Sequence, residues 1–113
     1  MDFITALIIL TNSERAQPLR VDKVLVKIAE VRAERACFNW DHTGFQEYFA
    51  THTTPRYIYG GENLLKDFQT AKAAHAALMA SGSHRENIVK KEYRRIGIAK
   101  ARSCNAYAEI FSN

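Results

Sequence analysis

Apolar residues recur along this chain with two different periods. Phe3, Ile4, Leu7 and Ile8 fall on one face of a helix, Pro18 and Leu19 interrupt, and the spacing resumes at Val24, Leu25, Ile28, Ala29, Arg32 and Ala36. Asp22 stands where an N-cap is needed and predicts the start of the second helix. A third helix is predicted from Asp67 or Thr70 to Ser81, with Ala71, Ala74, His75, Leu78 and Met79 on its apolar face and Gly82 as its stop. Ser83 and Glu86 match the Ser-x-x-Glu capping box, which predicts another short helix with His84 in its first turn.

The period then falls to two. Arg95-Ile96-Gly97-Ile98 alternates, Ser103-Cys104-Asn105 supplies turn chemistry, and Tyr107 to Phe111 alternates again, so the chain is predicted to end in a β-hairpin. Between the second and third helices lies an aromatic stretch, with Phe38, Trp40, Phe45, Tyr48, Phe49, Tyr57 and Tyr59, a short helix at Phe45 to Ala50 and a break at Pro55. Rings that fill a core and rings that line a pocket both fit it. Gly60 and Gly61 read as a tight turn that lets Glu62 point into a cavity. Helices mixed with antiparallel strands imply an α+β fold, one domain over residues 1–113, without internal repeats.

Composition agrees with that picture: 113 residues at 47% hydrophobic and 25% charged are enough for one core and too apolar for a disordered chain. The net charge of +4 is local, because Lys90, Lys91, Arg94, Arg95, Lys100 and Arg102 face only Glu92 over that segment. The tract reads as a solvated basic face, and with Tyr93 as its one interleaved ring it lacks the stacking surface of a nucleic-acid binder. The apolar run from Phe3 to Leu10 is far short of the ~20 residues of a membrane span. It also makes a poor signal peptide, with Asp2 before it and no small-residue cleavage site after it. A cytosolic protein, and an exported one whose leader lies outside this sequence, are the two readings left. Cys37 and Cys104 have neither zinc-site nor Cys-x-x-Cys spacing; they are two buried thiols, or a disulfide contributing on the order of 4 kcal/mol through loop entropy.

Chemistry narrows to three positions. His75 in an alanine-rich helix face and His52 among threonines read as structural or solvated. His42, after Trp40-Asp41 and before Thr43-Gly44, and His84, at a helix start, lie off any core face, and Glu62 falls between them. Two imidazoles and a carboxylate are ligands that zinc accepts in open sites and are equally the parts of a general acid–base pair.

The order Asn12-x-Glu14-Arg15, Pro18-Leu19, Asp22, Leu25, Ala29, His42-Thr43, Gly61-Glu62-Asn63-Leu64, Ser81-Gly82-Ser83-His84-Arg85-Glu86-Asn87-Ile88, Ile96-Gly97-Ile98-Ala99 and Tyr107-Ala108-Glu109-Ile110-Phe111 resembles the CAP superfamily in its bacterial form. This is the group of cysteine-rich secretory proteins, antigen 5 and pathogenesis-related 1 proteins. The resemblance implies a three-layer α-β-α sandwich with a cleft carrying His42, Glu62 and His84, braced by Asn63, Arg85 and Asn87. It also implies export, to the cell envelope or beyond, and a disulfide between Cys37 and Cys104 under oxidising conditions. The chain departs from the animal and plant members, whose Gly-His-Tyr-Thr-Gln falls on Asn105-Ala106-Tyr107-Ala108-Glu109 and whose second acid falls on Ser81. His84 then substitutes for their second histidine. Because a shared fold does not imply a shared reaction, the expectation is a binding domain for a small molecule, lipid or envelope component. The alternative is a hydrolase dependent on a divalent metal such as zinc, held by His42, His84 and Glu62.

Overall fold

In the computed structural model, which describes residues 1–113, the elements run α1 (Phe3–Ser13), β1 (Arg20–Val21), α2 (Lys23–Ala36), α3 (Phe45–His52), β2 (Gly60–Lys66), α4 (Ala71–Ala80), α5 (Gly82–Val89), β3 (Arg95–Lys100) and β4 (Ala106–Ser112). Three helices start on side-chain caps. Asp2 accepts the Thr5 amide at 2.7 Å, Asp22 the Leu25 amide at 3.0 Å, and Thr70 the Ala73 amide at 3.1 Å, each satisfying a donor the helix itself leaves free.

The capping box at Ser83 does not form. Ser81, in extended conformation, both ends α4 and opens α5, so Gly82 starts a helix instead of stopping one and Ser83 lies inside it. One extended residue is enough to turn the chain, and the hydroxyl of Ser81 is taken by the His84 ring instead of by the backbone.

The four strands lie in the order β1-β3-β4-β2, with β1 parallel to β3 and the other two pairs antiparallel. The hairpin of β3 and β4 is as predicted. The strands β1 and β2 are not, and Gly60-Gly61 is the start of a strand, not a turn. Neither glycine has a positive φ; a Cβ on Gly61 would sit 2.6 Å from the Tyr93 hydroxyl and 2.7 Å from Asn87 Oδ1, so any larger residue must displace those side chains.

Alternation along the strands divides the core in two. On one face, Leu25, Ile28, Ala29 and Ala33 of α2 and Phe45 and Phe49 of α3 pack with Leu64, Ala99, Ala108 and Ile110. On the other, Leu7 of α1, Leu78 of α4 and Ile88 of α5 pack with Leu65, Ile96, Ile98, Tyr107 and Phe111. The result is the expected α-β-α sandwich. It is tight against α2, where a Cβ on Gly97 would fall 2.2 Å from the Leu25 carbonyl carbon. The Cys37–Cys104 disulfide ties the end of α2 to the turn between β3 and β4. The aromatic stretch splits: Phe45 and Phe49 are core, whereas Phe38, Trp40 and Tyr59 are exposed.

Candidate functional site

Arg32 occupies a core position on α2, and burying a guanidinium there requires an anion beside it. That anion is Glu62 on β2. Arg32 Nε donates to Glu62 Oε2 at 2.6 Å and Nη2 to Oε1 at 3.0 Å, a two-pronged pair with side chains only 4% and 1% exposed. Its third nitrogen donates to the Thr43 carbonyl at 3.1 Å, and the guanidinium lies 5.7 Å from the Phe45 ring centre. Thr43 follows His42, so the same arginine fixes the loop that carries the imidazole. His42 Nδ1 lies 2.8 Å from Glu62 Oε1. A carboxylate facing a guanidinium accepts, so Nδ1 of His42 carries the proton shared with Glu62. Its side chain is 56% exposed.

His84 sits on the other side of β2, on α5. Its Nδ1 is 2.7 Å from Ser81 Oγ, and burial, followed by the charge of His42, holds its pKa below the usual histidine value. The imidazoles therefore sense each other, and His84 favours its neutral form. Below it runs a network of amides. Asn63 Nδ2 donates to the His84 carbonyl at 3.1 Å and to Glu109 Oε1 at 3.2 Å, while Asn87 Nδ2 donates to Asn63 Oδ1 at 2.9 Å and to the Glu62 carbonyl at 3.3 Å. Arg85 is not part of this network; it donates to the Met79 carbonyl at the end of α4. Glu109 is fully buried, its Oε2 has no partner, and burial pushes its carboxyl up to about 7 against the opposing bond from Asn63.

A cavity of about 270 Å³ opens at this edge of the sheet, lined by His42, Gln46, Gly61, Glu62, Asn87 and Tyr93 together with Phe45 and Gly60. His42 and Glu62 meet in it; His84 lies beside it without lining it. Two carbonyls of the edge strand are already occupied, that of Gly60 by Gln46 Nε2 at 3.1 Å and that of Glu62 by Asn87 Nδ2 at 3.3 Å. Both oxygens of Glu62 face a cation, and no group of three or more His, Cys, Asp and Glu side chains is placed to hold a metal ion. The donor set thus does not fit a three-ligand zinc centre: a cation added at Glu62 would face the guanidinium of Arg32 directly.

Sequence reasoning passed over Arg32, Gln46, Tyr93 and Glu109. Arg32 carried a signal, a charge in the apolar row of a helix. Glu109 carried a weaker one, an acid inside an alternating strand.

Comparison with known proteins agrees with this architecture. An uncharacterized protein of Bacillus subtilis (strain 168), YkwD, is 28% identical over 115 residues, which cover 90% of this chain and 44% of that protein. An extracellular SCP-domain protein from Bacillus anthracis superposes with a TM-score of 0.77 at 18% identity, over 96% of this chain and 39% of its own. A cysteine-rich secretory protein from Staphylococcus aureus gives 0.75 at 20%, over 98% and 39%. An outer surface protein from Borrelia burgdorferi gives 0.71 at 19%, over 100% and 96%. This chain thus spans less than half of the Bacillus and Staphylococcus proteins. The model of the cysteine-rich secretory protein family matches from residue 12 to residue 112, leaving residues 1–11 and the last residue outside it, and on that extent the chain belongs to the CAP family.

Proposed function

We propose that this is an exported, non-catalytic binding domain whose cleft at the β2 edge takes a small polar ligand, free or as part of an envelope component. The observation that carries this reading is the Arg32–Glu62–His42 chain of contacts, which fixes one imidazole at the rim of a cavity whose lining also includes the amides of Gln46 and Asn87 and the side chain of Tyr93. Such a set hydrogen-bonds a ligand without a Ser, Thr or Cys side chain among its members, and both cysteines are consumed in a disulfide. The polarity of the lining favours a hydrated molecule over a lipid tail. Export is supported by the extracellular or outer-surface description of the Bacillus anthracis and Borrelia proteins and by a disulfide suited to oxidising surroundings.

The test is protein-observed NMR with a library of neutral polar fragments. Binders are expected to shift the resonances of His42, Gln46 and Asn87 and to lose affinity in His42→Ala. Fragments clustering away from the β2 edge would overturn the reading. So would zinc binding tighter than about 1 mM that is abolished by His84→Ala, which would restore the metal-dependent hydrolase.

A further inference from the structure

Three arginines meet at the sheet edge opposite the cleft. Arg20 of β1 and Arg95 of β3 are register partners in a parallel pair, so their side chains leave the sheet on the same face. Like charges placed directly opposite in a sheet are destabilising. Arg94 is adjacent, and the backbone ladder fixes all three: Arg20 N donates to the Arg94 carbonyl at 2.9 Å and Arg94 N to the Ser112 carbonyl at 2.8 Å. The depression they line, about 570 Å³, is completed by Gln17, Pro18 and Asn113 and contains no acidic side chain.

Their counter-charges are few. Arg95 lies 4.3 Å over the Tyr57 ring, with Nη1 3.4 Å from Asp22 Oδ2. That carboxylate also accepts the Tyr57 hydroxyl at 2.9 Å and caps α2, so its charge is shared and its position is set. Arg20 and Arg94 take part in none of the five ion pairs of the molecule; Arg94 donates through Nη1 to the Lys91 carbonyl at 2.9 Å, a neutral acceptor. A fourth guanidinium, Arg15, is anchored nearby on the carbonyls of Ile88, Lys90 and Tyr93, and burial together with repulsion from Arg94 lowers its pKa.

We propose that the depression lined by Arg20, Arg94 and Arg95 binds a phosphate-type oxyanion. Three arginines from two strands and the segment before them line this one depression, and guanidinium forks match a tetrahedral group with three or four acceptor oxygens better than a carboxylate with two. An anion bound there offsets the repulsion between the register partners Arg20 and Arg95. No aromatic ring lines the depression, so a nucleobase has nothing to stack on and the phosphate itself is what the site recognises.

The experiment titrates the intact chain with inorganic pyrophosphate and, separately, with inorganic polyphosphate, by calorimetry at low salt and by NMR of the arginine Nε–H groups. Saturable binding is expected, with the Arg20, Arg94 and Arg95 signals shifting together, a loss of about tenfold or more in Arg20→Gln or Arg94→Gln, and no change in Lys72→Gln, an exposed cation on α4. Circular dichroism melts confirm that the variants fold. Polyphosphate binding more tightly than pyrophosphate would identify a polymeric source, and equal affinities a small phosphorylated molecule; either supports the site. Non-saturable binding of both, equal weakening by Lys72→Gln, or tighter binding of single-stranded DNA than of polyphosphate of equal charge would overturn it.

Discussion

Arg32 and Glu109 are both charged-type residues inside the core, and the structure treats them oppositely. Arg32 is neutralised by a carboxylate in the same layer, so truncating it leaves Glu62 as an unpaired buried charge. Arg32→Ala is expected to lower the unfolding free energy by about 3 to 5 kcal/mol in urea titrations, while His42→Ala, at a half-exposed position, changes it by under about 1 kcal/mol. Replacing both partners with Arg32→Met and Glu62→Leu should return much of what Arg32→Ala loses. Glu109 has no cation and is instead held toward its neutral form, its carboxyl pushed up to about 7 from an ordinary 4.5. Because the folded pKa lies above the unfolded one, the stability from this group is full below about pH 4.5 and is lost as pH rises through about 7, on the order of 3 kcal/mol in all. Glu109→Gln, which restores the residue of the animal and plant pattern, should flatten that slope while keeping the bond to Asn63. A melting temperature independent of pH between about 5 and 8 in the original protein would contradict this assignment. Both residues were visible in the sequence as acids and bases, but pairing is a three-dimensional fact: Arg32 and Glu62 are on different elements, and nothing in their spacing joins them.

Elements with a strong period or a cap were legible, and those defined only by neighbours were not. The α2 start at Asp22 and the β3–β4 hairpin follow from local chemistry. β2, with the sequence Gly-Gly-Glu-Asn-Leu-Leu-Lys, has neither β-branched residues nor alternation, because it is buried on both faces and the two faces take different chemistry, Glu62 toward Arg32 and Asn63 toward Glu109. β1 is two residues long and exists through its register with β3. The cleft was therefore half legible: the family pattern named His42, Glu62 and His84, but Gly60-Gly61, where β2 begins, reads as a turn. At this scale the disulfide is the feature to test. Joining α2 to the hairpin turn, it should contribute about 2 to 5 kcal/mol, read as the drop in urea midpoint when the bond is reduced, and mass spectrometry of unreduced protein should find no alkylated cysteine. Gly97→Ala is expected to cost more than an ordinary surface change, because the added methyl meets the α2 backbone and not a movable side chain.

For the molecule as a whole, the position of β2 at the rim of the sheet has a consequence for encounters between copies. A rim strand with free acceptors is a template: a second molecule can lay its own strand alongside and continue the ladder, and repetition of that step is how folded proteins enter fibrils. Here the carbonyls of Gly60 and Glu62 are held by Gln46 and Asn87, side chains projected from the helices on either flank. Two short amides thereby act as stoppers on lateral growth, from the same edge that forms the cleft. Removing them with Gln46→Ala and Asn87→Ala should leave the monomer folded and make it concentration-dependent in sedimentation velocity, with dimers or larger species appearing where the original chain stays a single boundary. A ligand seated in the cleft would cover the same edge.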